Sequence, residues 1–281
     1  MSTTDPDDLG RINVKAFERM DDAANVQDYI HILEVFDGLA GIQRLKKTAI
    51  EQSRIRSGMS VLDNGCGVGL ETVKLARLVA PSGRVVGLDA SRKFLDEAQR
   101  RAAGLNLPIK YHQGDAQRLP FSDHTFDVSR SERLFPYLSD PGQALIELIR
   151  VTKPQGFVYL IEPDFETVTI NLSDRSLVRK IFHFDCDHHT KNGWIGRELP
   201  GLFKSCGLVD IAVEASVVIF EPKSFSAYFL EIGRAACQNH VITARELGRW
   251  EDDIQRLLDT DELFCTISYF MAIGRVREGL P

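Results

Sequence analysis

Apolar residues along the chain recur with two different periods. Between residues 11 and 56 they fall three or four apart, as Tyr29, Leu33, Phe36 and Leu39 and then Ile42, Leu45 and Ala49. That spacing predicts helix, closed off at Gly58. Downstream, short apolar runs alternate with helical stripes. Strands are expected at 59–63, 84–88, 109–112, 126–129 and 157–161. The helix expected at 70–79 carries Val73, Ala76 and Val79 on one face. Ser91 can cap the next, with Phe94, Leu95 and Ala98 as its buried stripe. Asp140-Pro141 reads as an N-cap followed by a first-turn proline, leading into Leu145, Leu148 and Ile149. Pro81-Ser82-Gly83 and Pro154-Gln155-Gly156 read as turns.

This alternation predicts an α/β fold with a doubly wound, mostly parallel sheet and right-handed crossovers. Strand-like patterns return at 209–220 and 266–276, the late strand taken as antiparallel. Helical patterns fill the gaps at about 166–206 and 223–262 and are expected to form a cap over the open end of the sheet. The organisation expected is therefore an N-terminal helical segment (1–56), a core (57–165), and the rest of the sheet with its cap insertions (166–281). In such sheets ligands lie beyond the carboxyl ends of the strands, at the point where strand order reverses.

Chemistry-bearing residues sit at those strand ends. The first strand closes with Val61-Leu62-Asp63-Asn64-Gly65-Cys66-Gly67-Val68-Gly69. Glycines let the backbone turn sharply and approach a ligand closely, and the following helix offers free N–H groups. The second strand closes with Gly87-Leu88-Asp89-Ala90. After the third comes Gly114-Asp115-Ala116-Gln117-Arg118-Leu119-Pro120-Phe121, and after the fourth Ser129-Arg130-Ser131-Glu132-Arg133.

The first three of these segments, followed by the segment Pro141 to Gly156, resemble in this order the motifs of class I S-adenosylmethionine (SAM)-dependent methyltransferases, in their small-molecule, ubiquinone/menaquinone-biosynthesis-like branch, whereas Ser129-Arg130-Ser131-Glu132-Arg133 departs from the pattern. The resemblance covers about 58–162, including the helix and turn that end in Val151-Thr152-Lys153-Pro154-Gln155-Gly156. It implies a Rossmann-like core, SAM as cofactor and S-adenosylhomocysteine as product. It also implies that Asp63, with Gly65, Cys66 and Gly67, holds the amino-acid end of the cofactor. Asp89 suits the ribose diol, since one carboxylate accepts two hydroxyl hydrogen bonds; Ala90 lies beside it. Asp115 and the Ala116 backbone are expected at the adenine. Arg130 is expected to pair with the cofactor carboxylate, which an arginine fork suits. A nicotinamide dehydrogenase would place its glycines as G-x-G-x-x-G. Here Gly69 comes one residue early and Leu70 fills the third position.

Composition narrows the function further. The 281 residues are 43% hydrophobic and 26% charged with net charge −6, which fits a globular enzyme and lacks the basic footprint of a nucleic-acid binder. Five cysteines without a C-x-x-C pair suit a reducing compartment, and no metal site is expected. The opening MSTTDPDDLG is neither a signal nor a transit peptide, and no apolar run reaches a membrane span, so a cytoplasmic protein is expected. A small-molecule substrate is the expected partner, and a homodimer is allowed.

A catalytic base is required only if the acceptor must lose a proton. Candidates are Glu162, which with Asp164 follows the fifth strand, and His188 and His189, near Asp185 and Asp187. Phe17, Tyr29, Phe36, Tyr228, Phe229 and Tyr269 are candidates for an apolar pocket. The expected reaction is in-line methyl transfer to O, N or C of a small, partly apolar metabolite. Two alternatives stay open: a SAM-binding protein that runs a non-methylating reaction such as a cyclisation, and an NAD-dependent oxidoreductase.

Overall fold

In the computed structural model, which describes Phe17 and residues 20–188 and 190–278, a seven-stranded sheet organises the chain. The strands are β1 (Ser60–Asn64), β2 (Arg84–Asp89), β3 (Ile109–Gln113), β4 (Phe126–Glu132), β5 (Thr152–Ile170), β6 (Val209–Ile219) and β7 (Cys265–Arg275). Their spatial order is β3-β2-β1-β4-β5-β7-β6. Strands β1 to β5 pair in parallel, and β7 runs antiparallel to both β5 and β6. Order reverses between β1 and β4, so the crevice beyond their carboxyl ends is the natural ligand position.

Central parallel strands are covered on both faces and must be apolar throughout. Accordingly β1 is buried at every position. On one face Val61, Val85, Val128 and Tyr159 pack against Ile42 and Leu45 of α2 (Ala40–Ser53) and Leu75 and Ala76 of α3 (Leu70–Val79). On the other, Leu62, Val86, Val158 and Leu160 meet Leu145 and Leu148 of α5 (Pro141–Val151) and Leu199 and Phe203 of α7 (Ile195–Ser205). Between these, α4 (Arg92–Ala102) follows β2, and α6 (Arg175–His188) follows β5.

The expected caps are present. Ser91 Oγ accepts from the Phe94 N–H at 3.1 Å, and an Asp140 carboxylate oxygen accepts from Gln143 N–H at 2.9 Å ahead of Pro141. Helix α3 starts at Gly69, whose φ of +78° a side chain would resist.

Three features differ from the pattern. The N-terminal stripe forms two helices, α1 (Val26–Gly38) and α2, broken at Leu39, whose extended backbone leaves the helix. Strand β5 runs 19 residues, well past Ile161. Its continuation, Glu162-Pro163-Asp164, pairs with Phe270, Tyr269 and Ser268 of β7 but has outrun β4, whose pairing stops at Glu132–Ile161. A proline is tolerated where a strand has lost one neighbour. Finally, α7 lies flat on the sheet through Ile195, Leu199 and Phe203 instead of over its end. The covering block is formed by α6, α8 (Pro222–Gln238) and α9 (Ala244–Asp259), locked by Phe182, Phe229 and Trp250. Among the described residues no helix is long and apolar enough to cross a membrane.

Candidate active site

A cavity of about 560 Å³ opens beyond the carboxyl ends of β1, β2 and β4. One end is bounded by the glycine turn and the loops after β2 and β3. The other lies between α1, the β5–β7 extension and α8.

The turn after β1 is tied to β2, because Gly65 and Cys66 N–H both donate to the Leu88 carbonyl, at 2.7 and 2.9 Å. Gly65 has φ +75°, and a Cβ there would come within 2.8 Å of the Leu134 side chain. A glycine is required so that the loop after β4 can close against the turn. Gly65, Cys66, Gly67 and Ala90 all line the cavity, and burial pushes the Cys66 thiol well above its usual range.

Asp89 and Asp115 both line this end. One Asp89 oxygen accepts from Gly67 N–H at 2.8 Å, the other from Ser91 N–H at 2.9 Å. A carboxylate has about four lone-pair sites, so two remain toward the cavity. Burial raises the Asp89 carboxyl to about 6, against the opposing pull of those two hydrogen bonds. Asp115 is exposed at the rim and accepts from Gln117 N–H at 2.8 Å, while Ala116 is buried beside it. Asp21 was not signalled by pattern. Its carboxylate accepts from Ser91 Oγ (2.6 Å) and from the Arg92 and Lys93 N–H groups (3.0 and 3.1 Å), crowning α4 and closing the wall. Burial opposes its ionisation, but these donors win and its carboxyl lies below the ordinary value.

Asp63 does something other than face the cavity. It is fully buried and accepts from Thr72 Oγ1 (2.6 Å) and Arg130 Nη1 (2.7 Å). The other arm of Arg130 goes to Glu132 at 2.6 Å, and its guanidinium lies 5.6 Å from the centre of the Tyr159 ring. Arg130, expected at a cofactor carboxylate, does line the cavity, with Nη1 on Asp63, Nη2 on Glu132 and Nε without a partner. Glu132 continues the chain of charges to Lys46 (3.0 Å), which also meets Glu71 (3.1 Å) and Asp37 (2.7 Å). Lys74 adds a second cation on Asp37, at 2.9 Å. Buried charges persist only when paired this way. The lining positions Lys46, Glu71, Asp37 and Glu132 come from four separate elements, so no local spacing announces them.

The far end is aromatic. Phe36, Phe165, Phe220, Phe225, Tyr228 and Tyr269 line it, and Phe17, also a lining residue, packs against Tyr29 and Tyr137. Tyr29 and Phe229, also expected there, instead pack in the core. Tyr228 donates its hydroxyl to the buried Asp185 carboxylate, and burial, then that anion, holds its pKa well above the usual phenol.

The expected bases fare differently. Glu162 does not line the cavity; it is fully buried on the other face of the sheet, accepting from Leu134 and Phe135 N–H at 3.3 and 3.4 Å. Burial raises it to about 8, so it is a neutral acid at pH 7. Its neighbour Asp164 is held by the Arg197 guanidinium. His188 is exposed, stacked on Phe184 with centroids 4.7 Å apart, and lies outside the cavity wall. Adjacent helical positions point different ways, which explains why a histidine pair in sequence is no pair in space; His189 lies outside the described residues.

The donor set fits SAM. Two strand-end carboxylates carry unused lone pairs toward a diol and an amine, a glycine cradle admits close approach, and the volume falls in the range for small-ligand pockets, roughly 300–1,000 Å³. Comparisons agree. A family model for a methyltransferase domain matches residues 62–160. The chain is 30% identical over 271 residues to an uncharacterised 37.1 kDa protein in transposon Tn4556 of Streptomyces fradiae, covering 95% of this chain and 75% of that one. It is 39% identical over 119 residues to demethylmenaquinone methyltransferase of Lactobacillus johnsonii, covering 42% of this chain and about half, 49%, of the relative's length. The crystal structure of YcgJ from Bacillus subtilis superposes with a TM-score of 0.60 at 20% identity, over 84% of this chain and all of that one, a likeness of fold. The chain belongs to the class I SAM-dependent methyltransferases, and SAM is its cofactor.

Proposed function

We propose that this chain transfers the methyl group of SAM to O, N or C of a small, partly apolar acceptor. One observation carries the reading. A single cavity joins a polar end, with Asp89, Asp115 and the glycine turn, to an aromatic end with Phe36, Phe220, Phe225 and Tyr228. The first end suits a nucleoside, the second a flat apolar body. The name of the Lactobacillus johnsonii relative, demethylmenaquinone methyltransferase, adds a quinone as one acceptor class.

SAM supplies an electrophilic methyl on a sulfonium, so the protein's own work is placement and water exclusion. Asp89 would accept from the ribose hydroxyls, with Asp115 and Ala116 at the adenine edge. Gly65, Cys66 and Gly67 would let the amino-acid end lie against the backbone, over the wall that Asp63 and Arg130 stiffen from behind. The aromatic end would hold the acceptor in line with the transferring group, and such positioning supplies several kcal/mol of the barrier, up to about 7–11. Tyr228, with its proton committed to Asp185, leaves its oxygen to accept a hydrogen bond from an acceptor hydroxyl or amine.

The test is incubation with SAM and a panel of phenols, quinols and amines. S-adenosylhomocysteine released in step with a methylated, apolar panel member is the expected result. A SAM-dependent product formed without S-adenosylhomocysteine would replace transfer with a non-methylating reaction.

A further inference from the structure

We propose that Tyr228 and Asp185 form a proton relay at the aromatic end of the cavity, and that the accepting atom is the oxygen of a phenolic hydroxyl. This rests on the methyl-transfer reading above and narrows its choice of O, N or C to one.

The packing of two helices builds the pair. On α8, Phe225 and Tyr228 stand three apart and both line the cavity, while Phe229 and Ile232 turn into the core. Helix α6 packs behind α8, with the Phe182 ring centred 6.1 Å from that of Phe229. Asp185, three residues further along α6, is thereby brought to Tyr228, whose hydroxyl donates to its carboxylate. Asp185 itself is 3% exposed and lies off the cavity wall, so Tyr228 stands between it and a ligand. Tyr228 also stands where the two ends of the cavity meet. Tyr137, from the loop after β4, is among the groups that act on its hydroxyl. In that loop Leu134 lies where a Cβ on Gly65 would meet it, and Ser139 Oγ donates to the Gln117 side chain at 2.8 Å. Gln117 lines the nucleoside end beside Asp115.

A phenol ionises at about 10, so at neutral pH it is almost wholly protonated and a poor nucleophile. The Tyr228 hydroxyl has committed its proton to Asp185, and what it offers an acceptor is a lone pair. In the relay the acceptor O–H proton passes to the Tyr228 oxygen as the Tyr228 proton passes to the Asp185 carboxylate. The acceptor oxygen bonds to the methyl carbon, the carbon–sulfur bond breaks, and its electron pair stays on the sulfur of S-adenosylhomocysteine. Asp185 loses its negative charge in the step in which the sulfonium loses its positive one. No tyrosinate is formed, which burial and the Asp185 anion both oppose. After the product leaves, the proton returns through Tyr228 to water. An amine attacks as its free base and needs no such relay.

The experiment compares two phenols of similar size at pH 8. There 4-methylphenol is mostly protonated and 4-nitrophenol mostly ionised. Release of S-adenosylhomocysteine is followed for the wild-type protein, for Tyr228→Phe and for Asp185→Asn, whose amide oxygen still accepts the tyrosine's hydrogen bond but cannot take its proton. Base catalysis contributes about 10²–10⁴-fold. Each variant is therefore expected to slow 4-methylphenol by about a hundredfold or more, and 4-nitrophenol at least about tenfold less. In the wild-type protein, heavy water should slow transfer to 4-methylphenol more than to 4-nitrophenol. Thermal melts identify a variant that fails to fold, and the heavy-water comparison then decides. Equal losses for the two phenols, no loss for either, or equal solvent isotope effects overturn the relay. A wild-type protein that binds S-adenosylhomocysteine in calorimetry but methylates neither phenol overturns the phenolic acceptor. One that does not bind S-adenosylhomocysteine overturns the SAM reading itself, and this proposal with it.

Discussion

Lys46→Met removes the cation at the centre of the buried charge network while keeping most of the side-chain volume. Lys46 touches Asp37, Glu71 and Glu132, and its own side chain is 5% exposed. Removing one partner of a buried ion pair costs about 3–5 kcal/mol, because the opposite charge is left without compensation. Here the stranded acids keep second partners. Lys74 stays on Asp37 at 2.9 Å and near Glu71 at 3.5 Å, and Arg130 stays on Glu132 at 2.6 Å. The expected loss is therefore near the lower bound, about 3 kcal/mol, which for a chain of this size lowers Tm by about 6–10 °C. The dependence on pH has a definite sign. Burial pulls the Lys46 pKa down, but Glu132, Glu71 and Asp37 together raise it above 10.5, so its contribution is complete at neutral pH and lost only as pH rises through that raised value. The folded-state pKa values of Asp37 and Glu132 are lowered from 3.8 and 4.5, since the neighbouring cations outweigh burial, so their contribution is lost as pH falls below those figures. Urea denaturation followed by circular dichroism should show the full deficit at pH 7 and a smaller one below pH 4. A loss under about 1 kcal/mol at pH 7, or one that grows in acid, would refute the reasoning.

Asp89→Ala should weaken SAM by about 1.5–3 kcal/mol, roughly ten- to a hundredfold in Kd, since hydrogen bonds to a charged group are removed; an unchanged Kd in calorimetry would take Asp89 out of the site. Because Asp89 titrates at about 6, wild-type affinity should fall as pH drops through that value, and a flat profile from pH 7.5 to 5 would contradict it. Glu162 ionises at 4.5 when unfolded and at about 8 in the fold, so its stability penalty grows as pH rises between those values. Glu162→Gln should therefore stabilise the protein by about 1–3 kcal/mol at pH 8 and by progressively less toward pH 4.5; a difference independent of pH would refute this. His188→Ala should leave SAM binding and turnover within twofold, and a large loss of turnover would return His188 to the chemistry.

The features legible in sequence are those whose cause is local. Asp140-Pro141 and Ser91 announce helices because a cap needs only its own first turn, and both caps form. The four cofactor-side segments were visible because glycine turns and strand-end acids are written consecutively. What stayed hidden depends on neighbours far along the chain. The apolar run of β5 ends at Ile161, where Glu162, Pro163 and Asp164 break it. They are nonetheless buried, carried by β7 about a hundred residues later and, for Asp164, by Arg197. The Asp63 partner of Arg130 is invisible in sequence because it arrives only once β1 and β4 lie side by side, although Glu132 stands two positions along the same strand. Asp21 reaches the start of α4 across 70 positions, a distance no window of periodicity spans.

The most direct test of the central claim is a crystal structure of the protein grown with S-adenosylhomocysteine. The account predicts the nucleoside between Asp89 and Asp115, its amino-acid tail across the Gly65–Gly67 turn, and open space toward Phe220 and Tyr228. Ligand density elsewhere on the molecule, or a cavity that stays free of it at saturating concentration, would contradict it.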